Sequence, residues 1–150
     1  MKKNFLPVSI NIAGEKILIV GGGDDALKKL RILQRFDAQV EVLAESVCHE
    51  IKQSGVKYTE VAYDKKYLIG YLMLYSCLDD DAQDQQIVKD CHEAGVLVNI
   101  HDKPALCQFV SPAIYRHGKI TVAVGSNGED VHESIRIRNL IKNKLQFNEV

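Results

Sequence analysis

The sequence predicts an α/β fold, a doubly wound parallel sheet followed by a β-hairpin and a helix. Three observations lead there. Short apolar runs alternate with segments of helical period through the first hundred residues. Those runs are apolar on both faces, as strands covered by helices on two sides are. After Asp102 the alternation stops and two β-like runs precede one amphipathic segment.

Lys16–Val20 reads as the first strand, a charged residue leading into four apolar ones. Gly21, Gly22 and Gly23 follow, and then a helix over Asp25–Phe36. Its stripe is Ala26, Leu30 and Leu33 at i, i+4, i+7, widened by Leu27 and Phe36, with Lys28, Lys29 and Arg31 on the other face. Gln39–Leu43 is a second strand and Glu45–Ser54 a short helix closed by Gly55. Tyr58–Val61 is a third strand. Tyr71–Cys77 is a fourth, almost wholly apolar. Asp80–Ala94 is a helix closed by Gly95, a position where glycine is favoured. Val96–Ile100 is the fifth strand. Right-handed crossovers join these into one doubly wound sheet. Phe109–Tyr115 and Lys119–Val124 flank His117-Gly118 as a hairpin, Gly125–Gly128 is a loop, and Glu129–Leu145 is helical. A lone hairpin and helix bury little surface, so they must pack on the sheet or on a second subunit.

The 150 residues suffice for one domain with a small appendage. Apolar residues make up 46% and charged residues 26%, ordinary for a globular protein. The net charge of −1 gives no field that points to nucleic acid. No apolar run approaches the ~20 residues of a membrane span. The N-terminus has the charges of a signal peptide but not its apolar core, so the chain is read as cytoplasmic. Cys48, Cys77, Cys91 and Cys107 have no CxxC spacing and read as free thiols.

The glycine run carries the chemistry. Gly21, Gly23 and Ala26 fit the G-x-G-x-x-G/A form of a Rossmann-like dinucleotide-binding turn. Gly21 allows the tight turn, Gly23 lets the backbone approach the phosphates, and Ala26 keeps the helix close to the sheet. The amides at the helix start then face the anion. Ligands of such sheets bind beyond the carboxyl ends of the strands. That rim holds Gly21–Ala26, Ala44–Ser46, and Leu78–Asp80 with His101-Asp102.

An acid roughly 20 residues past the glycines holds the ribose hydroxyls in such folds. Glu41 and Glu45 both lie near that distance, Glu45 at the strand tip and Glu41 within the strand. Glu45 reads equally well as an acid favoured by a helix N-terminus. No Arg or Lys occurs between Asp37 and Ile51, so a 2′-phosphate has no evident partner and NAD is favoured over NADP. Asp102 could exchange a proton beside a bound cofactor; taken alone it reads more simply as a turn aspartate before Pro104. His101 reads more simply as a loop imidazole. Asp79-Asp80-Asp81 reads as a helix cap rather than a metal site. The terminal helix carries Arg136, Arg138, Lys142 and Lys144 with no acid from Ser134 to Phe147, a face suited to solvent or to a small polyanion.

Jointly, several stretches resemble the precorrin-2 dehydrogenase / sirohydrochlorin ferrochelatase family, the N-terminal module of siroheme synthases. Phe5-Leu6-Pro7-Val8 resembles the family's opening. Ile19–Asp24 with Ala26, Lys29 and Arg31 is similar to its V-G-G-G-x-x-A-x-x-K-x-R signature. Leu78-Asp79-Asp80 stands where it has T-D-D, Val98–Asp102 resembles V-N-V-x-D, and Phe109–Ile114 with Gly118 and Ile120–Val124 is similar to its hairpin. The resemblance implies NAD-dependent oxidation of precorrin-2, a tetrapyrrole, to sirohydrochlorin, and admits insertion of ferrous iron as a second step. It implies a Rossmann-like NAD-binding domain over 1–104 and a hairpin and C-terminal helix over 105–150 that form a homodimer. Asp102 falls on the family's catalytic aspartate. Gly21, Gly22, Gly23, Asp24, Asp25, Ala26, Glu45, Ser46 and Leu78 fall on cofactor contacts. Ser126, Asn127 and Arg136 are the substrate-binding expectation, and no metal ligand is expected. Where the family's loop reads S-G-G-x-S-P, this chain has Ser126-Asn127-Gly128-Glu129-Asp130-Val131, and it ends at Val150. Those departures point to an alternative, a dimeric NAD-binding module of the same lineage with impaired catalysis.

Overall fold

The computed structural model describes residues 1–145. They fall into two compact units, Ser9–Phe109, and Met1–Val8 together with the chain from Val110 onward. The last residues of the expected 105–150 region lie outside the described residues.

In the larger unit the strands are β1 (Lys16–Val20), β2 (Gln39–Ala44), β3 (Lys57–Glu60), β4 (Tyr71–Ser76) and β5 (Leu97–Ile100). All pair in parallel, in the order β3-β2-β1-β4-β5. The order reverses between β1 and β4, and the crevice at such a reversal is where ligands of these sheets bind. Helices α1 (Asp24–Gln34), α2 (His49–Gln53) and α3 (Asp81–Ala94) connect the strands. Ile17, Leu18, Ile19 and Val20 are all buried, as befits a central strand covered on both faces. Ala26, Leu27, Leu30 and Leu33 of α1 share one core with Ile17 and Ile19.

Several boundaries differ from the sequence reading, each for a visible reason. Strand β3 is not apolar on both faces: Lys57, Tyr58, Thr59 and Glu60 are all exposed. It is one of the two edge strands, and its charged side chains block further pairing. Helix α2 starts at His49 rather than Glu45. The preceding loop is held elsewhere, because the Val47 N–H donates to Glu60 Oε2 at 3.2 Å and the Cys48 N–H to Gly22 O at 2.8 Å. Lys29 is not on the solvent face of α1. It sits at i+3 from Ala26 and i−4 from Leu33, within the stripe, and its Nζ lies 4.7 Å from the Tyr75 ring centroid. The aliphatic stem covers apolar surface, and burial pulls the ammonium below the ordinary lysine range.

The smaller unit contains an antiparallel hairpin, β6 (Ala113–His117) and β7 (Ile120–Val124), and helix α4 (Val131–Lys144). The hairpin strand begins at Ala113 rather than Phe109, since Pro112 has no N–H to give a ladder. Phe109 instead belongs to the larger unit, edge-on to Tyr75 with centroids 5.3 Å apart, and its carbonyl accepts from Asn99 Nδ2. Helix α4 starts at Val131 because Asp130 caps it, accepting from the Glu133 N–H at 2.9 Å. Among the described residues of this unit Ser134 alone is buried.

Candidate functional site

The site is built at the carboxyl end of β1. The Gly21 N–H donates to Leu43 O at 2.9 Å, the Cys77 N–H to Val20 O at 2.8 Å and the Cys48 N–H to Gly22 O at 2.8 Å, so the turns after β1, β2 and β4 are tied to one another or to the neighbouring strand ends. Gly21 has φ +131°, and a Cβ there would meet the Cys77 carbonyl oxygen at 2.9 Å. It makes the tight turn. Gly22 has a role that the glycine spacing alone does not reveal. A Cβ on it would lie 2.0 Å from Ser46 O, so this glycine lets the loop after β2 press against the turn. Gly23 differs again: no heavy atom lies within 4 Å of its would-be Cβ. The space before it is open.

Helix α1 starts at this open space with no side-chain cap. A helix start leaves backbone N–H groups without helical acceptors, and their dipoles favour an anion. Ala26 is fully buried behind them, keeping the helix tight on the sheet. The donor set and the space fit a diphosphate.

Glu45 and Ser46 stand exposed on the bend after β2. Since α2 starts only at His49, Glu45 is not in a helical first turn, and the dipole explanation for it falls away. Glu41 lies within β2 and is occupied: the Tyr71 hydroxyl donates to it, and Lys57 and Lys16 lie 3.4 and 3.8 Å away. Burial alone would raise its carboxyl, but Tyr71 and the two lysines outweigh that and hold it below the ordinary range. Leu78 is half-buried after β4.

Asp102 follows β5 with φ +58°, a left-handed conformation that aspartate tolerates. Its side chain is 85% exposed. Both neighbours are anchored. His101 Nε2 lies 3.3 Å from Asp102 Oδ2 and 3.5 Å from Asp25 Oδ1. Lys103 Nζ donates to Asp81 and to the buried Asp84, each at 2.7 Å, and Asp84 also accepts from Ser76 Oγ. These hydrogen bonds raise the Lys103 ammonium above its ordinary range. Asp80 caps α3 through the Gln83 N–H, so the acidic run has local tasks. Burial pushes the Cys77 thiol up to about 11, which keeps it protonated beside this cluster.

The structure thus brings Gly21–Ala26, Glu45, Ser46, Leu78 and Asp102 to one rim of the larger unit. Ser126, Asn127 and Arg136 belong to the smaller unit. There Asn127 Oδ1 accepts from the Phe5 N–H at 2.7 Å, Ser126 Oγ accepts from the Asp130 N–H, and Arg136 is held by both Glu133 oxygens. Two cavities, of about 280 and 390 Å³, lie along α3 and do not touch the glycine turn. The contacts of His101, Lys103 and Lys29 escaped the sequence reading; only Lys29 left a signal, its phase with Ala26 and Leu33.

Residues 8–113 match the family described as "Putative NAD(P)-binding". The chain belongs to this family. It is also similar to the siroheme synthase of Psychrobacter sp. (strain PRwf-1), 35% identical over 130 residues, 84% of this chain and 27% of that protein. The siroheme synthase of Saccharophagus degradans is 31% identical over 146 residues, 95% of this chain and 32% of that protein. The chain therefore spans about a third or less of these relatives. A solved structure titled "SirC, precorrin-2 dehydrogenase" superposes with a TM-score of 0.79 over 95% of this chain and 72% of that one, at 20% identity, which shows a shared fold.

Proposed function

We propose that this chain oxidises precorrin-2 to sirohydrochlorin with NAD, as the dehydrogenase step of siroheme formation in the cytoplasm. One observation carries the reading: an open, uncapped glycine turn at the β1/β4 reversal, with a proton-accepting carboxylate on the same rim. NAD, when bound, supplies the hydride acceptor. The amides from Gly22 to Ala26 hold its diphosphate, with Gly21 making the bend. Glu45 takes ribose hydroxyls, and Ser46 and Leu78 line the nucleotide, while the lack of a base between Asp37 and Ile51 favours NAD over NADP. The substrate loses a hydride and a proton in this oxidation. Asp102 accepts the proton at a carboxylate oxygen, giving a carboxylic acid that then returns it to solvent.

Ser126, Asn127 and Arg136 are proposed to contact the tetrapyrrole from the smaller unit. That unit has almost no core of its own, and Ile120, Val131 and Leu140 are exposed. This supports a homodimer in which a second copy covers those residues. A second reading, a dimeric NAD-binding module with impaired turnover, is favoured by the engagement of Arg136 with Glu133.

Purified protein given NAD and precorrin-2 is expected to form NADH, read at its absorbance. Asp102→Asn should abolish NADH formation while leaving NAD binding in place. NAD binding without turnover in the native protein selects the second reading, and absence of NAD binding overturns both. Ferrous iron enters only as a substrate, tested by adding it to the sirohydrochlorin product.

A further inference from the structure

The turn proposed to hold the diphosphate carries two consecutive carboxylates, Asp24 and Asp25, both exposed in the first turn of α1. A like charge about 4 Å away in water weakens anion binding roughly fivefold. An acidic phosphate turn therefore requires a counter-charge.

His101 stands where one is needed. Its Nε2 faces Asp25 Oδ1 at 3.5 Å on one side and Asp102 Oδ2 at 3.3 Å on the other. The imidazole is only 35% exposed. Its backbone is pinned, with the His101 N–H on Ser76 O at 2.9 Å and Ile100 clamped by Cys107 Sγ. The other groups near it are accounted for. Lys28 Nζ reaches Asp25 only at 4.0 Å from an exposed position. Lys29 and the Cys77 thiol lie within electrostatic reach of Asp102, and Cys107 within that of Lys29. Lys103 is turned to Asp79, Asp81 and Asp84.

We propose that His101 is a positioning residue whose imidazolium offsets Asp25 on the phosphate turn and, through the same nitrogen, holds Asp102 on the rim. This rests on the reading that the turn binds NAD. As a cation His101 offsets the Asp25 repulsion; with a neutral side chain in its place that repulsion returns and cofactor affinity falls.

The test is calorimetric titration of NAD into the full chain. The proteins compared are the native one, His101→Gln, Asp25→Asn, the double variant and His101→Lys. His101→Gln should bind NAD roughly fivefold more weakly than the native protein, and Asp25→Asn roughly fivefold more tightly. The double variant, which loses both charges, should return to about the native affinity, and His101→Lys, which keeps a cation, should stay near it. A His101→Gln protein that binds as the native one does, or a double variant that remains as weak as His101→Gln, overturns the proposal while leaving NAD binding intact. Absence of NAD binding by the native protein removes the nucleotide reading and this proposal with it. Asp25→Asn alters an exposed side chain, so its arm of the test stands even if His101→Gln folds poorly.

Discussion

Alanine at Gly22 would place a methyl group 2.0 Å from the Ser46 carbonyl oxygen and 2.8 Å from Val47 Cα. Ordinary contacts lie at about 3.5–4.0 Å, so the loop after β2 must retreat by about 1.5 Å. Backbone, not a flexible side-chain tip, has to move. Such overpacking costs about 1–3 kcal/mol. The bond from the Cys48 N–H to Gly22 O crosses the same seam, and its loss adds about 0.5–1.5 kcal/mol. The sum, about 1.5–4.5 kcal/mol, is a large share of the roughly 5–15 kcal/mol that stabilises a domain. It lowers the melting temperature by about 3–18 °C. Alanine at Gly23 is the matched control. Its backbone, φ −99° and ψ −159°, suits alanine, and nothing lies within 4 Å. The entropy gained in the unfolded chain offsets a poorer helix cap, so stability should change by less than about 1 kcal/mol. Yet the methyl occupies the space in front of the amides, so NAD affinity should fall at least roughly tenfold. Scanning calorimetry and NAD titration on both variants read the two effects. A Gly22→Ala protein that melts with the native one refutes the packing argument. A Gly23→Ala protein that binds NAD unchanged refutes the phosphate turn.

Three further outcomes follow from the geometry. Glu41→Gln should lower the urea midpoint at pH 7. Because the native carboxyl titrates below its ordinary range, its contribution is present above that range and disappears as pH falls through it, so the two proteins should converge in acid. Asp84→Ala strands the buried Ser76 hydroxyl and removes one of the two carboxylates that Lys103 donates to, and should cost about 2–3 kcal/mol in urea unfolding. Ile120→Lys, at an exposed apolar position of β7, should halve the sedimenting mass if two copies bury that surface.

Local signals carried much of this architecture. The step from β1 into three glycines and an apolar stripe marks the centre of the sheet, and Gly95 marks the end of α3. What escaped depends on distant partners. Nothing local in Glu45-Ser46 says that Glu60 and Gly22 will hold the following residues out of the helix. Nothing near Phe109 says that it will meet Tyr75 instead of starting a strand. The site divides the same way. The glycine roles at 21 and 23 follow from backbone chemistry, whereas the Gly22 contact and the His101 bridge require loops from three strands to meet.

The smaller unit is assembled from both ends of the chain, Asn127 binding the main chain at Phe5 and Lys3. During synthesis the opening eight residues therefore leave the ribosome with no partner made. The hundred residues after them can fold as soon as they emerge. The first segment completes its structure only once Asn127 has been made, so a change at Phe5 is felt at a residue 122 positions further along the chain.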